Sequence, residues 1–105
     1  IRESAPGGMG HAGEMETSVM LALHPDLVRT DLLAPDGEKQ RCRFDHKDML
    51  EPGRVGQFRL WNEWSQKGAI GDPTLATEEK GNLFIEAAVD AISELMEELK
   101  AGRIG

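Results

Sequence analysis

Cysteine, basic charge and long apolar runs are all scarce in this chain. One cysteine, Cys42, stands among 105 residues, so no internal disulfide can form. That is compatible with a reducing compartment, and a cytoplasmic location is the expectation. Nineteen acidic side chains face twelve basic ones, a formal net charge of -7. Such a balance argues against nucleic acid, whose binders need basic surface to displace counterions from phosphate, and against an anionic membrane. No apolar run reaches the length needed to span a bilayer, and no secretory signal pattern opens the sequence. Internal repeats and low-complexity tracts are also lacking. What remains, with 39% hydrophobic and 30% charged residues, describes a globular chain of one domain, residues 1–105, with an adequate but modest core.

What is present is concentrated near the amino end. Residues 7–18 read GGMGHAGEMETS, with His11, Glu14 and Glu16 among four glycines and ahead of an apolar run. Glycine lets backbone approach a ligand closely. Imidazole and carboxylate are the groups that hold a divalent ion or move a proton. Taken by residue type alone, the same cluster also describes a solvated helix start whose carboxylates favour the positive end of the helix dipole. His11 is the best proton carrier in the chain, because its unperturbed pKa lies near neutrality. Glu14 and Glu16 stand two residues apart, so one is expected to face the site and the other to brace the loop. Glu14, closer to the glycines, is the choice for the inward one. One His and one Glu do not make a metal site, since a catalytic ion usually has three protein ligands.

Along the chain, residues 1–13 read as loop and a helix is expected from Glu14 or Glu16 to Leu23, with Thr17 or Ser18 helping to satisfy its first amides. His24-Pro25 ends that helix. Residues 26–33 suggest a short turn or helix with Leu27, Val28, Leu32 and Leu33 facing inward, and residues 34–37 (APDG) a tight turn. His46, between Asp45 and Asp48, matches no defensible metal spacing. Cys42 lies between Arg41 and Arg43 without an obvious base, and a structural or exposed thiol is the expectation; a redox role would need a resolving thiol elsewhere. Residues 55–61 alternate as a strand would. Trp61 and Trp64 fit core or interface. Asp72 with Pro73, or Thr77, starts a long amphipathic helix whose Phe84, Ala88, Ala91, Ile92, Leu95 and Leu99 share a face, and Gly102 stops it.

Two blocks resemble the creatininase (creatinine amidohydrolase) family: HAGEMETS with MLALHPDLV at residues 11–28, and GAIGDPTLATEEKG at residues 68–81 with its following helix. His24 departs from the family's frequent Arg. The resemblance implies an α/β fold, a creatininase-like layered arrangement with a mostly parallel sheet flanked by helices, of which this chain forms only the C-terminal part. It implies a metal-dependent hydrolase of a carbon–nitrogen bond, in an amide or cyclic amide. Two divalent ions (Zn, Mn or Fe) would be liganded mostly outside this chain, by an N-terminal polypeptide of the same enzyme, in an oligomer. By the match His11 is the catalytic residue, Gly10 and His11 contact the small-molecule amide substrate, and Glu14 is a metal ligand, with Glu16 the looser candidate. The tryptophan role known in that family belongs to a different motif and is not carried onto Trp61 or Trp64. A start at Ile1, with the loop following at once, fits the second part of a longer polypeptide. The alternative is a non-catalytic acidic partner subunit of a larger assembly.

Overall fold

The computed structural model describes residues 1–37 and 42–104; Arg41, one of the two arginines flanking Cys42, lies outside them. Strand β1 (Met9–His11) pairs with β2 (Ile70–Gly71), and helix α1 (Glu14–Leu23) leaves β1 through a two-residue turn. A short helix α2 (Trp61–Trp64) precedes β2, and the long helix α3 (Glu78–Lys100) closes the chain. Helices α1 and α3 pack on each other so closely that a Cβ at Gly81 would sit 2.0 Å from the Ser18 carbonyl oxygen. Only a glycine permits that crossing.

The helix boundaries follow from local chemistry. Helix α1 ends where His24 leaves the α region before Pro25, its N–H still bonded to the Met20 carbonyl at 2.7 Å. Asp72 accepts from Thr74 N and starts only a single 3-10 turn, Pro73–Leu75. Thr77 is the cap of α3, accepting from Lys80 N at 3.1 Å. Gly102, at φ +69, ends it.

Several expectations are corrected. The β1–β2 pair is antiparallel, so the described residues contain no parallel pairing. Residues 55–60 form no ladder and lie exposed, and Trp61 opens a helix instead of closing a strand. Period-two alternation is not enough without a second strand to satisfy the backbone. Leu27 and Leu32 are 65% and 56% exposed rather than inward. They sit on two separate 3-10 turns, Pro25–Leu27 and Thr30–Leu32, which cannot keep one continuous face. Neither Thr17 nor Ser18 caps α1, whose N-cap is Gly13. The Ser18 hydroxyl instead donates to the Glu14 carbonyl and accepts from Thr77 N, linking α1 to the start of α3.

The interior is polar. Buried apolar residues are Met9 and Ile70, whereas Glu14, Thr17, Ser18, Asp45, Lys47, Asp48 and Lys80 are all buried. Two carboxylates organise the amino-terminal segment. Glu14 has no exposed surface and accepts from Glu3 N, Ser4 N and Lys80 Nζ, each at 2.8 Å. Lys80 completes its three donors with the Leu75 carbonyl at 2.6 Å and Glu3 at 3.1 Å. Asp48 accepts from Gly7 N at 2.7 Å, from Leu50 N and Glu51 N at 3.0 Å, and from the forked guanidinium of Arg2. Burial alone would raise both carboxyl pKa values. Hydrogen bonds outweigh it, from Lys80, Ser4 and Glu3 on Glu14 and from Arg2, Gly7, Glu51 and Leu50 on Asp48, and hold each at about 2.

With this little apolar interior the surface is large. The accessible area is 7302 Å², against roughly 5,800 Å² for a compact monomer of this mass. On α3, Ile92, Leu95 and Leu99 of the expected apolar stripe are about half exposed, and so are Val89 and Met96 outside it. Among the described residues no helix is long and apolar enough to cross a membrane.

The depressed carboxylates set the acid limit of the fold. Their folded pKa values lie below the ordinary 4.5 of Glu14 and 3.8 of Asp48, so their contribution is complete above those values and is lost as pH falls towards 2. Replacing Glu14 by Gln should cost up to about 3–5 kcal/mol at neutral pH by taking the buried counter-charge from Lys80 and leaving it the exposed Glu3, and should remove part of the acid sensitivity. Urea titrations at pH 7 and pH 3 measure both; an unchanged acid profile in the variant would refute this anchoring role.

Candidate active site

His11 is the last residue of β1, held where the strand meets the glycine-rich turn into α1. Its ring is exposed and lies 4.9 Å from the Trp61 ring, tilted by 55°. The two rings, with Asn62, Ser65 and Gly68, line an open cleft of about 180 Å³. Helix α2 brings Trp61 there, and its first turn is set by Leu60 N donating to Glu63 at 2.9 Å.

Asp36 holds the loop that brings Ser65 to the cleft, accepting from the Ser65 hydroxyl at 2.8 Å, Gln66 N at 3.0 Å and Lys67 N at 2.6 Å. Burial raises its pKa, but those bonds from Lys67, Ser65 and Gln66, with one from Gly37, bring it down to about 2. From sequence Asp36 was only a turn residue. Nothing in the APDG pattern signals that its side chain orders a loop thirty positions later. Trp61 was likewise missed as a neighbour of His11, for the same reason of sequence distance.

Gly10 is in the middle of β1, walled by the carbonyl oxygens of Lys47 and Ile70, which a Cβ would meet at 2.3 and 2.6 Å. It lines a neighbouring cleft of about 350 Å³ with Lys47, Asp48 and Trp64, not the one that holds the His11 ring. There Lys47 pairs with Asp45 and lies 3.8 Å over the Trp64 ring.

Glu14 does not line the cleft, as expected of the inward carboxylate, whereas Glu16 braces the loop, the part left to the other member of the pair. Glu14 faces the interior and is saturated by Glu3, Ser4 and Lys80. Glu16 is half-buried at the loop and accepts from Ala12 N at 2.5 Å. Ala12 stands at φ +48, a left-handed conformation that costs an L-residue about 1–2 kcal/mol. Among the described residues, no group of three or more His, Cys, Asp or Glu side chains could hold a metal ion. His46 bonds through Nδ1 to the Glu51 carbonyl at 2.9 Å, His24 is exposed at the helix end, and Cys42 is an exposed free thiol.

Gly13 is the most constrained residue of the loop. A Cβ there would lie 2.2 Å from the Gly8 carbonyl oxygen, the same oxygen that accepts from Glu14 N and Asp72 N. Gly13→Ala should therefore push the turn away from Gly8 and the start of β1 and displace His11 from Trp61. The expected outcome is loss of the nuclear Overhauser contact between the two rings; its retention would show that the close approach is not what sets the loop.

The chain matches the family model described as creatinine amidohydrolase over residues 1–96. It is 37% identical over 89 residues to a mycofactocin precursor peptide peptidase of Mycobacterium tuberculosis, covering 83% of this chain and 32% of that protein. To the creatinine amidohydrolase of Pseudomonas putida it is 31% identical over 90 residues, covering 84% of this chain and 30% of that one. A 3-dehydro-scyllo-inosose hydrolase of Thermotoga maritima is 29% identical over 107 residues, covering 90% and 34%. Among solved structures, a W154F mutant creatininase superposes with a TM-score of 0.56 at 28% identity, covering 82% of this chain and 30% of that one. The chain thus spans about a third of the length of the curated relatives it matches.

Proposed function

Because this chain belongs to the creatininase family, we propose that it is part of an enzyme that hydrolyses a carbon–nitrogen bond in an amide or cyclic amide, with His11 as its proton carrier. The single observation that supports the role is the placement of His11: an exposed imidazole at a strand end, against an aromatic wall, on backbone anchored by buried carboxylates. Names among the relatives agree on hydrolysis, and two of them specify a peptide or an amide as the target.

In this reading water adds to the carbonyl carbon, the carbon–nitrogen bond breaks, and His11 delivers a proton to the departing nitrogen. Trp61 offers an apolar face against which a small planar amide can lie. The enzyme would use two divalent ions, Zn, Mn or Fe, which polarise a carbonyl and lower the pKa of bound water. The described residues do not fit such a site by themselves. Glu14 already accepts an ammonium and two amides, so an ion at its oxygens would compete with Lys80. The ligands are therefore assigned to the remaining polypeptide of the enzyme, which the same proposal makes the partner of this chain in an oligomer.

In the assembled enzyme, His11→Ala should lower turnover of the accepted amide by about 10²–10⁴-fold while leaving bound metal unchanged. Creatinine and a short capped peptide are the first substrates to assay, with metal content measured on the same samples. Unchanged turnover in the variant would refute the histidine assignment.

A further inference from the structure

The turn after His11 contains a feature that the proton-transfer role of His11 does not require by itself. Ala12 adopts φ +48, where its Cβ crowds the backbone, although glycines stand on nearly every side of it in the sequence. Its amide donates to Glu16 Oε2 at 2.5 Å, and its carbonyl accepts from the Thr17 hydroxyl at 3.2 Å. Both backbone polar groups of Ala12 are thus held by the first turn of α1. A rigid helix supplies the restraint, and a charged acceptor makes the amide bond the stronger of the two.

The geometry points to Glu16 and Thr17 as positioning residues for His11, acting by clamping Ala12 in its left-handed conformation. The Ala12 N–H belongs to the peptide plane that starts at the carbonyl carbon of His11. Fixing that plane fixes the backbone from which the imidazole projects towards Trp61. Ala12 in an extended or helical conformation would swing the plane, and the ring would leave the cleft. Glu16 acts here as a hydrogen-bond acceptor, so its charge is secondary and its role is neither metal ligation nor proton transfer. The inference rests on His11 being the proton carrier.

Glutamine at position 16 separates acceptor from charge, because its amide oxygen still accepts from Ala12 while a carboxylate ligand or base is lost. In the assembled enzyme with histidine and alanine isotope-labelled, Glu16→Ala should abolish the protection of the Ala12 amide against exchange. It should also remove the ring-current shift that Trp61 imposes on His11, and lower kcat by about 100-fold with little change in KM or metal content. Glu16→Gln should keep the amide protection, the ring-current shift and turnover within a few-fold of the parent. Loss of metal or of turnover in Glu16→Gln as complete as in Glu16→Ala would overturn the clamp in favour of a charge-dependent role. An unperturbed His11 ring in Glu16→Ala would overturn it outright. If His11→Ala leaves turnover intact, the underlying histidine assignment fails; if His11→Ala abolishes turnover but Glu16→Ala does not, only the clamp fails.

Discussion

The buried Glu14–Lys80 pair joins three parts of the chain that local sequence does not connect. Glu14 stands at the start of α1, Lys80 in the first turn of α3, and the amides of Glu3 and Ser4 belong to the segment that leads into β1. Removing either charge leaves the other in a site with almost no water, which costs far more than the net worth of an intact pair. Asp48 repeats the device on the opposite side of the same segment, through Arg2, Gly7 and Met9. The strand that ends in His11 is thereby fixed at its root by two anions rather than by an apolar core. Polar anchoring of this kind is directional. It determines where the backbone goes more strictly than the burial of side chains such as Met9 and Ile70 does.

Legibility in the sequence follows the range of the interaction responsible. Helix α1, its stop at His24-Pro25 and the Gly102 terminus depend on residues within four positions of one another, and pattern suffices for them, whereas pattern left Asp72 and Thr77 both open as the start of α3. The family was legible for a related reason, since both motif blocks are contiguous. Residues 55–60 failed because alternation describes a side-chain pattern, whereas a strand also needs a partner. Glu14 and Glu16 could be recognised as a working pair, but not assigned. The ammonium that draws Glu14 inward comes from sixty-six residues away, and the strained amide that occupies Glu16 is invisible without a backbone angle. Asp36 and Trp61, which shape the His11 cleft, were hidden by the same separation.

The candidate site divides its labour between rigid backbone and exposed side chain. Gly10 and Gly13 admit carbonyl oxygens to within distances that no Cβ tolerates, which brings β1, β2 and the turn into α1 together. His11 and Trp61, by contrast, make their contact at the surface, where a substrate and further protein can reach them. A site built this way keeps an exposed imidazole on a stiff frame beside an open cleft.

Helix α3 extends 23 residues, roughly 34 Å at 1.5 Å per residue, and its close approach to α1 is at Gly81, near its start. Further along, Val89, Ile92, Leu95 and Leu99 meet solvent. Such a stripe attracts other apolar surfaces indiscriminately. Precipitation of this polypeptide would therefore begin at the carboxyl-terminal helix and not at the imidazole.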